Sequence, residues 1–138
     1  MREIIIDANV LLSFVTDRHP EQQAKAAALF QSAGSSRTVI ICPQQVITEF
    51  VYVLDKVYGL PKAGIRAMVA DLLALPGFQV AHELDFAWVL AYWPDQIADY
   101  GDALLAATGK GRKGAWIATF DKKLINSLQK VGVHIFSW

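Results

Sequence analysis

The stretch Glu3-Ile4-Ile5-Ile6-Asp7-Ala8-Asn9-Val10-Leu11-Leu12 decides how this chain is to be read. Its three consecutive isoleucines suit a strand buried on both faces. Asp7-Ala8-Asn9 then stops the strand with residues that favour turns. Val10 to Val15 begins a short helix. A wholly apolar strand passing straight into a helix is the signature of a sheet covered on both sides.

Outward from this segment the same alternation repeats. Asp17-Arg18-His19-Pro20 breaks the chain, and Pro20 suits the first turn of a helix that reaches Phe30 and ends near Gly34. Thr38 to Cys42 reads as the second strand. Pro43 opens a helix through Tyr58, closed by Gly59, with Ile47, Phe50, Val51, Leu54 and Val57 at the spacing of one buried face. Pro61 starts another helix, ending near Leu75 before Pro76-Gly77. Phe78 to Ala81 is a third strand, followed by a helix from about Asp85 to Trp93 and a break at Pro94. Tyr100 to Thr108 is helical, Lys110 to Gly114 a basic loop, and Ala115 to Thr119 a fourth strand. Asp121 to Val131 is the last helix and Val133 to Phe136 a fifth strand. Strands separated by helices need crossover connections, so the expected fold class is a three-layer α/β/α sandwich with a mainly parallel central sheet. One domain over residues 1–138 is expected, since no linker, repeat or low-complexity tract interrupts the pattern.

Composition narrows the function. At 54% hydrophobic and 19% charged, the chain is more apolar than an average soluble domain, which points to a well-filled core or a covered partner surface. No apolar run approaches the length needed to span a bilayer, and no basic segment with a long apolar run opens the sequence. A cytoplasmic location without membrane contact is the expectation. The single cysteine, Cys42, lies in Val39-Ile40-Ile41-Cys42 and reads as a small core residue rather than a catalytic thiol. Thirteen basic and thirteen acidic residues cancel, so any nucleic-acid binding must come from charge placement and not from net charge.

In parallel sheets, ligands bind beyond the carboxyl ends of the strands. Asp7 stands directly after the first strand and Asp121 just after the fourth. Each has an ordinary explanation, Asp7 as a turn residue and Asp121 as a helix cap. Glu49 follows Val46 by three residues and precedes Val53 by four, so it flanks the apolar stripe of its helix. Asp99 and Asp102 sit three apart around a helix start; capping accounts for Asp99, whereas Asp102 leads into the apolar Ala103-Leu104-Leu105-Ala106-Ala107. Several carboxylates meeting at one sheet edge repel, and burial raises their pKa values unless positive charge is supplied. No lysine or arginine adjoins Asp7, Glu49 or Asp102 in sequence. Magnesium or manganese, hard cations with oxygen ligands, would supply the charge.

This order of motifs resembles the PIN domain, and in particular the single-domain toxin ribonucleases of VapC type. The likeness covers essentially the whole chain: Ile4-Ile5-Ile6-Asp7-Ala8-Asn9, His19-Pro20-Glu21 before an alanine-rich helix, Glu49 in Gln45-Val46-Ile47-Thr48-Glu49-Phe50, Asp102-Ala103-Leu104-Leu105-Ala106-Ala107-Thr108, and Ala118-Thr119-Phe120-Asp121. What the resemblance implies is hydrolysis of RNA by metal-activated water. Asp7 and Asp102 would be the principal metal ligands and Glu49 and Asp121 would complete the site. Asn9 would orient Asp7 by hydrogen bonding and Thr119 would help at the strand end. Asp99 offers a further carboxylate beside Asp102, with Asp102 favoured by the Ala-Leu that follows it. The resemblance also implies an antitoxin partner, and the high apolar content suits a homodimer.

The loop Gly109-Lys110-Gly111-Arg112-Lys113-Gly114 concentrates positive charge. It is either a solvated connection or a holder of RNA phosphates near the metal through Lys110, Arg112 and Lys113. Trp88, Trp93 and Trp138 read as core or interface residues rather than base-stacking platforms. Other functions remain open: a non-toxin RNA-processing nuclease, a phosphotransferase with Asp7 as nucleophile, which would need a lysine partner, or a non-catalytic module whose acidic pocket takes a partner's arginine.

Overall fold

The computed structural model describes residues 1–35 and 37–138. The chain runs β1 (Arg2–Ile6), α1 (Ala8–Val15), α2 (Pro20–Gly34), β2 (Thr38–Pro43), α3 (Gln44–Lys56), α4 (Lys62–Ala74), β3 (Phe78–Ala81), α5 (Phe86–Tyr92), α6 (Tyr100–Gly111), β4 (Trp116–Ala118) and α7 (Lys122–Lys130). The sheet has the order β3-β2-β1-β4 with every pair parallel, Ile4 lying opposite Ile40 on one side and Trp116 on the other. Both central strands are covered on their two faces, which is why Ile4, Ile5, Ile6, Ile40 and Ile41 have almost no exposed surface.

The connections fix the layers. From β1 the chain moves to β2 and then β3 in one direction, and right-handed crossovers place α1 to α4 on one face; α1 packs on α2 and α3, and α3 on α4. From β3 the chain returns across the sheet to β4, beyond β1, which sends α5 and α6 to the opposite face. The result is a three-layer α/β/α sandwich. Its direction reverses between β1 and β4, so a crevice opens at their carboxyl ends.

Tight approaches demand glycine at one turn. Gly77 has φ +72°, and a Cβ there would lie 2.9 Å from the carbonyl oxygen of Ala33 and 3.1 Å from that of Thr38. With that clearance its own carbonyl oxygen accepts from the Ile40 amide at 2.7 Å and sets the start of β3 against β2.

Two expectations need correction. Val133 to Phe136 does not form a full strand: one parallel bridge joins Ile117 to Ile135, held by Ile117 N to His134 O at 2.9 Å and Phe136 N to Ile117 O at 2.9 Å. With β4 only three residues long, the segment has little edge to pair with. The second concerns the basic loop, because α6 continues past Thr108 to Gly111 and carries Lys110 in its last turn. The two glycines weaken helix propensity without preventing it, since packing decides: Gly109 lies so close to β4 that a Cβ would stand 3.1 Å from Ile117 Cδ1.

Candidate active site

Four helices begin at the carboxyl edge of the sheet or beside it, and their caps and opening turns supply the acids. Asp7 ends β1 and caps α1, its Oδ1 accepting from the Val10 amide at 3.0 Å. Asp99 caps α6 by accepting from the Asp102 amide at 2.9 Å, and Asp121 caps α7 by accepting from the amides of Lys123 and Leu124 at 2.9 and 3.2 Å. Glu49 stands in the second turn of α3. Local capping preferences thus put three carboxylates at helix starts, and the parallel topology brings those starts together.

Asp7, Asn9, Glu49, Asp99, Asp102 and Asp121 all line one cavity of about 510 Å³, shared with Gln45 and Tyr52. No basic side chain lines it among the described residues. Asp7 is buried at 7% exposure, and burial pushes its carboxyl from 3.8 up to about 6, against the lowering effect of hydrogen bonds from Thr119 and Val10; Glu49 and Asp121 add repulsion. Asp102 is pushed up to about 6 as well, first by burial and then by the charges of Asp99, Asp121, Asp7 and Glu49. Glu49 reaches further into solvent and is raised in the same direction by desolvation and by Asp99.

Thr119 ties the two strand ends together. Fully buried, it donates its hydroxyl to Asp7 Oδ2 and accepts from the Asp121 amide at 3.1 Å. One hydroxyl therefore orients the first acid and the loop carrying the last. Trp138 supports this point from behind: its indole N–H donates to the Thr119 carbonyl at 3.0 Å and its ring stacks on Phe120 at 4.3 Å. Its sequence reading as a packing residue missed this bracing role, for which the sequence carries no local signal. Trp93 likewise serves structure, donating to the Ala98 carbonyl at 3.1 Å and meeting Tyr100 edge-on.

Asn9 does not orient Asp7, contrary to the expectation from the motif. Its Oδ1 accepts from Arg18 Nη2 at 3.2 Å, while Asp7 is already held by Thr119 and Val10. Asn9 lies in the first turn of α1 and lines the same cavity as Asp7, with its side-chain oxygen engaged by Arg18.

Lys110, Arg112 and Lys113 are not gathered at the acidic cavity. Along α6 and beyond, they follow Asp102 by about 12 Å or more at the rise of a helix. Arg112 instead pairs with Glu3 near the start of β1, Nε to Oε1 at 2.9 Å and Nη2 to Oε2 at 3.3 Å. Lys110 lies over the Trp88 ring at 5.9 Å. The reading of this segment as a phosphate holder near the metal is corrected by its place at the opposite end of α6.

The donor set fits a divalent cation. Hard carboxylate oxygens line an open cavity, burial and then mutual repulsion raise the carboxyls of Asp7 and Asp102, and none of the described lining groups supplies positive charge. As they stand, no three His, Cys, Asp or Glu side chains among the described residues are arranged to hold a metal ion together, so the acids line the cavity without closing into a ligand set. The lysine that an aspartyl-phosphate enzyme would need beside its nucleophile is also missing from the described lining.

Comparisons with known proteins bear on the family and the fold. The family model described as PIN domain matches residues 4–129. Among solved structures, Mycobacterium tuberculosis VapC20, described as a sarcin-ricin loop cleaving toxin, is similar at TM-score 0.66 and 17% identity, covering 98% of this chain and 99% of that one. PAE2754 from Pyrobaculum aerophilum is similar at TM-score 0.62 and 19% identity, covering 91% and 84%. The PIN domain endonuclease Utp24 is similar at TM-score 0.54 and 18% identity, covering 96% and 80%. No curated protein matches the sequence. At these identities the structural likeness speaks for the fold, while the family match spans nearly the whole chain. The chain belongs to the PIN domain family.

Proposed function

We propose that this protein is a magnesium- or manganese-dependent endoribonuclease, and that it is the toxin of a toxin-antitoxin pair. The observation that carries the chemistry is the pair Asp7 and Asp102, both raised to about 6 in a cavity that Glu49, Asp99 and Asp121 also line. Asp7 and Asp102 would hold the cation, with Glu49 and Asp121 completing the site directly or through water. When bound, such a cation makes water a better nucleophile and neutralises charge growing on a phosphodiester. The chain's own work is to keep the ligands in place. Thr119 and the Val10 amide fix Asp7, and the Asp99 cap holds the turn that presents Asp102. Ile6, Ala103 and Ala118, next in sequence to Asp7, Asp102 and Thr119, are fully buried and anchor those residues to the core.

The toxin role is supported by the coverage of VapC20, which matches this chain almost end to end. An antitoxin or a second copy of the chain would cover apolar side chains that stand exposed on α5, Phe86 at 54% and Leu90 at 69%. No helix among the described residues is long and apolar enough to cross a membrane, and a cytoplasmic site of action is part of the proposal. The test is cleavage of single-stranded RNA by purified protein with magnesium, with manganese and with EDTA. Cleavage that needs the metal and vanishes in Asp7→Asn and Asp102→Asn supports the proposal. Equal cleavage in EDTA overturns it.

A further inference from the structure

A pocket walled by carboxylates repels an RNA phosphate, and none of its described lining residues is basic. One basic side chain is nevertheless fixed at its rim. Arg18, in the turn between α1 and α2, donates from Nη2 to the Asn9 carbonyl at 3.2 Å, to Asn9 Oδ1 at 3.2 Å and to Ser13 Oγ at 3.4 Å. Asn9 is itself a wall residue of the cavity. Ser13 is fully buried and is held in turn, its hydroxyl donating to Gln22 Oε1 at 3.2 Å in the first turn of α2. The guanidinium therefore rests on α1, whose Ser13 is braced in turn by α2.

The charge of Arg18 stays uncompensated. All three of its acceptors are neutral, it forms no ion pair among the described residues, and it is exposed. Among the described residues only its Nη2 is engaged, so the donors on Nε and Nη1 remain for another partner. Arg112 differs, because its fork is closed on the carboxylate of Glu3. A planar guanidinium, anchored at one corner and open along the other edge, has the geometry that phosphate oxygens accept in pairs.

We propose that Arg18, anchored by Asn9 and Ser13 at the mouth of the acidic cavity, binds a backbone phosphate of the RNA strand beside the one that is cleaved. Arg18 is then a substrate-positioning residue, and Asn9 a positioning residue that acts through it. The inference rests on the nuclease reading of the cavity and deepens it. Such a contact places the strand over the carboxylates without reading its sequence. It also gives the asparagine of Asp7-Ala8-Asn9 a task that the hydrogen bonds of Asp7 leave open.

The experiment measures RNA twice. Binding of labelled single-stranded RNA is followed by fluorescence anisotropy over a salt series in the Asp102→Asn background, and cleavage is followed in the otherwise wild-type chain with magnesium. Arg18→Gln keeps an amide able to reach Asn9 and removes the charge; it is expected to weaken binding about tenfold and flatten the slope of log affinity against log salt by about 0.7. In cleavage it raises KM by a similar factor and leaves kcat within about twofold, as loss of ground-state and transition-state binding alike requires. Arg18→Lys keeps the slope and recovers only part of the affinity, because a point charge lacks the fork. Asn9→Ala weakens binding where Arg18 is intact and adds nothing to Arg18→Gln, whereas a merely structural asparagine would lower the melting temperature without touching the salt slope. The triple change of Lys110, Arg112 and Lys113 to alanine leaves the slope unmoved.

An Arg18→Gln protein that melts like wild type and keeps its affinity and salt slope overturns the inference. Additive effects of Asn9→Ala and Arg18→Gln overturn the part assigned to Asn9. Metal-dependent cleavage with a slope indifferent to Arg18 refutes this contact and spares the nuclease reading. An Arg18-dependent slope in a wild-type protein that never cleaves does the reverse, and absence of any RNA binding refutes both.

Discussion

Replacing Asp102 by asparagine separates catalysis from folding, because the carboxylate that matters for one is a burden on the other. Burial and four neighbouring carboxylates move its carboxyl from 3.8 to about 6. Fully shielded from solvent, such a displacement disfavours the charged form by roughly 3 kcal/mol. Asp102 keeps part of its surface in water, so a penalty of roughly 1 to 2 kcal/mol is the working figure. The folded value lies above the unfolded one. The penalty is therefore absent below about pH 4, grows as pH rises and is complete above the folded value of about 6.

Asp102→Asn removes that penalty and also removes a favourable contact with the positive end of α6, roughly 0.3 to 1 kcal/mol. It does not remove the cap, which Asp99 provides. In EDTA at pH 7 the variant is expected to be more stable than wild type by roughly 1 kcal/mol, a rise in Tm of roughly 3 to 5 °C for a domain of this size. The advantage shrinks toward zero at about pH 4. Magnesium at a hundred times its Kd stabilises wild type by about 2.7 kcal/mol and the variant, short of one ligand, much less, so the order inverts. Cleavage is lost throughout. Thermal melts at pH 7 and pH 4, in EDTA and in magnesium, read every part of this. A variant less stable than wild type by about 1 kcal/mol or more in EDTA at pH 7, or a difference that ignores pH, would refute the electrostatic argument and make Asp102 a structural residue.

Further outcomes follow from the same geometry. Thr119→Val strands the Asp121 amide and leaves Asp7 with one hydrogen bond fewer, so stability should fall by roughly 1 to 3 kcal/mol in denaturant unfolding. The same change should lift the Asp7 carboxyl above about 6, since the Thr119 hydroxyl holds it down, and so move the acid limb of magnesium binding to higher pH. In the wild type, magnesium affinity measured calorimetrically should weaken below pH 6 by about tenfold per pH unit for each carboxylate that must lose its proton. Asp99→Asn keeps an acceptor for the Asp102 amide and relieves repulsion on Asp102 and Glu49; cleavage should stay within about tenfold of wild type, and its abolition would promote Asp99 to a metal ligand.

The parallel sheet was legible because its evidence is local. Ile4-Ile5-Ile6 and Val39-Ile40-Ile41-Cys42 are too apolar for a strand with a solvated face, and helices along the chain carry their own start signals in Pro20, Asp99 and Asp121. The edges were less so. Val133 to Phe136 alternates like a strand but meets a neighbour of three residues, and the helix through Lys110 extends past glycines that its packing against Ile117 tolerates. Length of a neighbour and closeness of a wall are properties of the folded chain, invisible to propensity.

For the site, sequence alone placed Asp7 and Asp121 at strand ends and assigned Asp99 to a cap, because turn and capping chemistry act over three or four residues. It also marked Glu49 and Asp102 as acids on apolar helices. Tertiary structure alone decided which groups meet. The hydroxyl that fixes Asp7 comes from Thr119, 112 residues away, and the cation at the cavity's rim is Arg18 rather than the basic run at the far end of α6. Charge along a chain shows how many cations it has; only the path of the backbone through space, and the direction in which each side chain leaves it, determine which of them an acidic pocket can use.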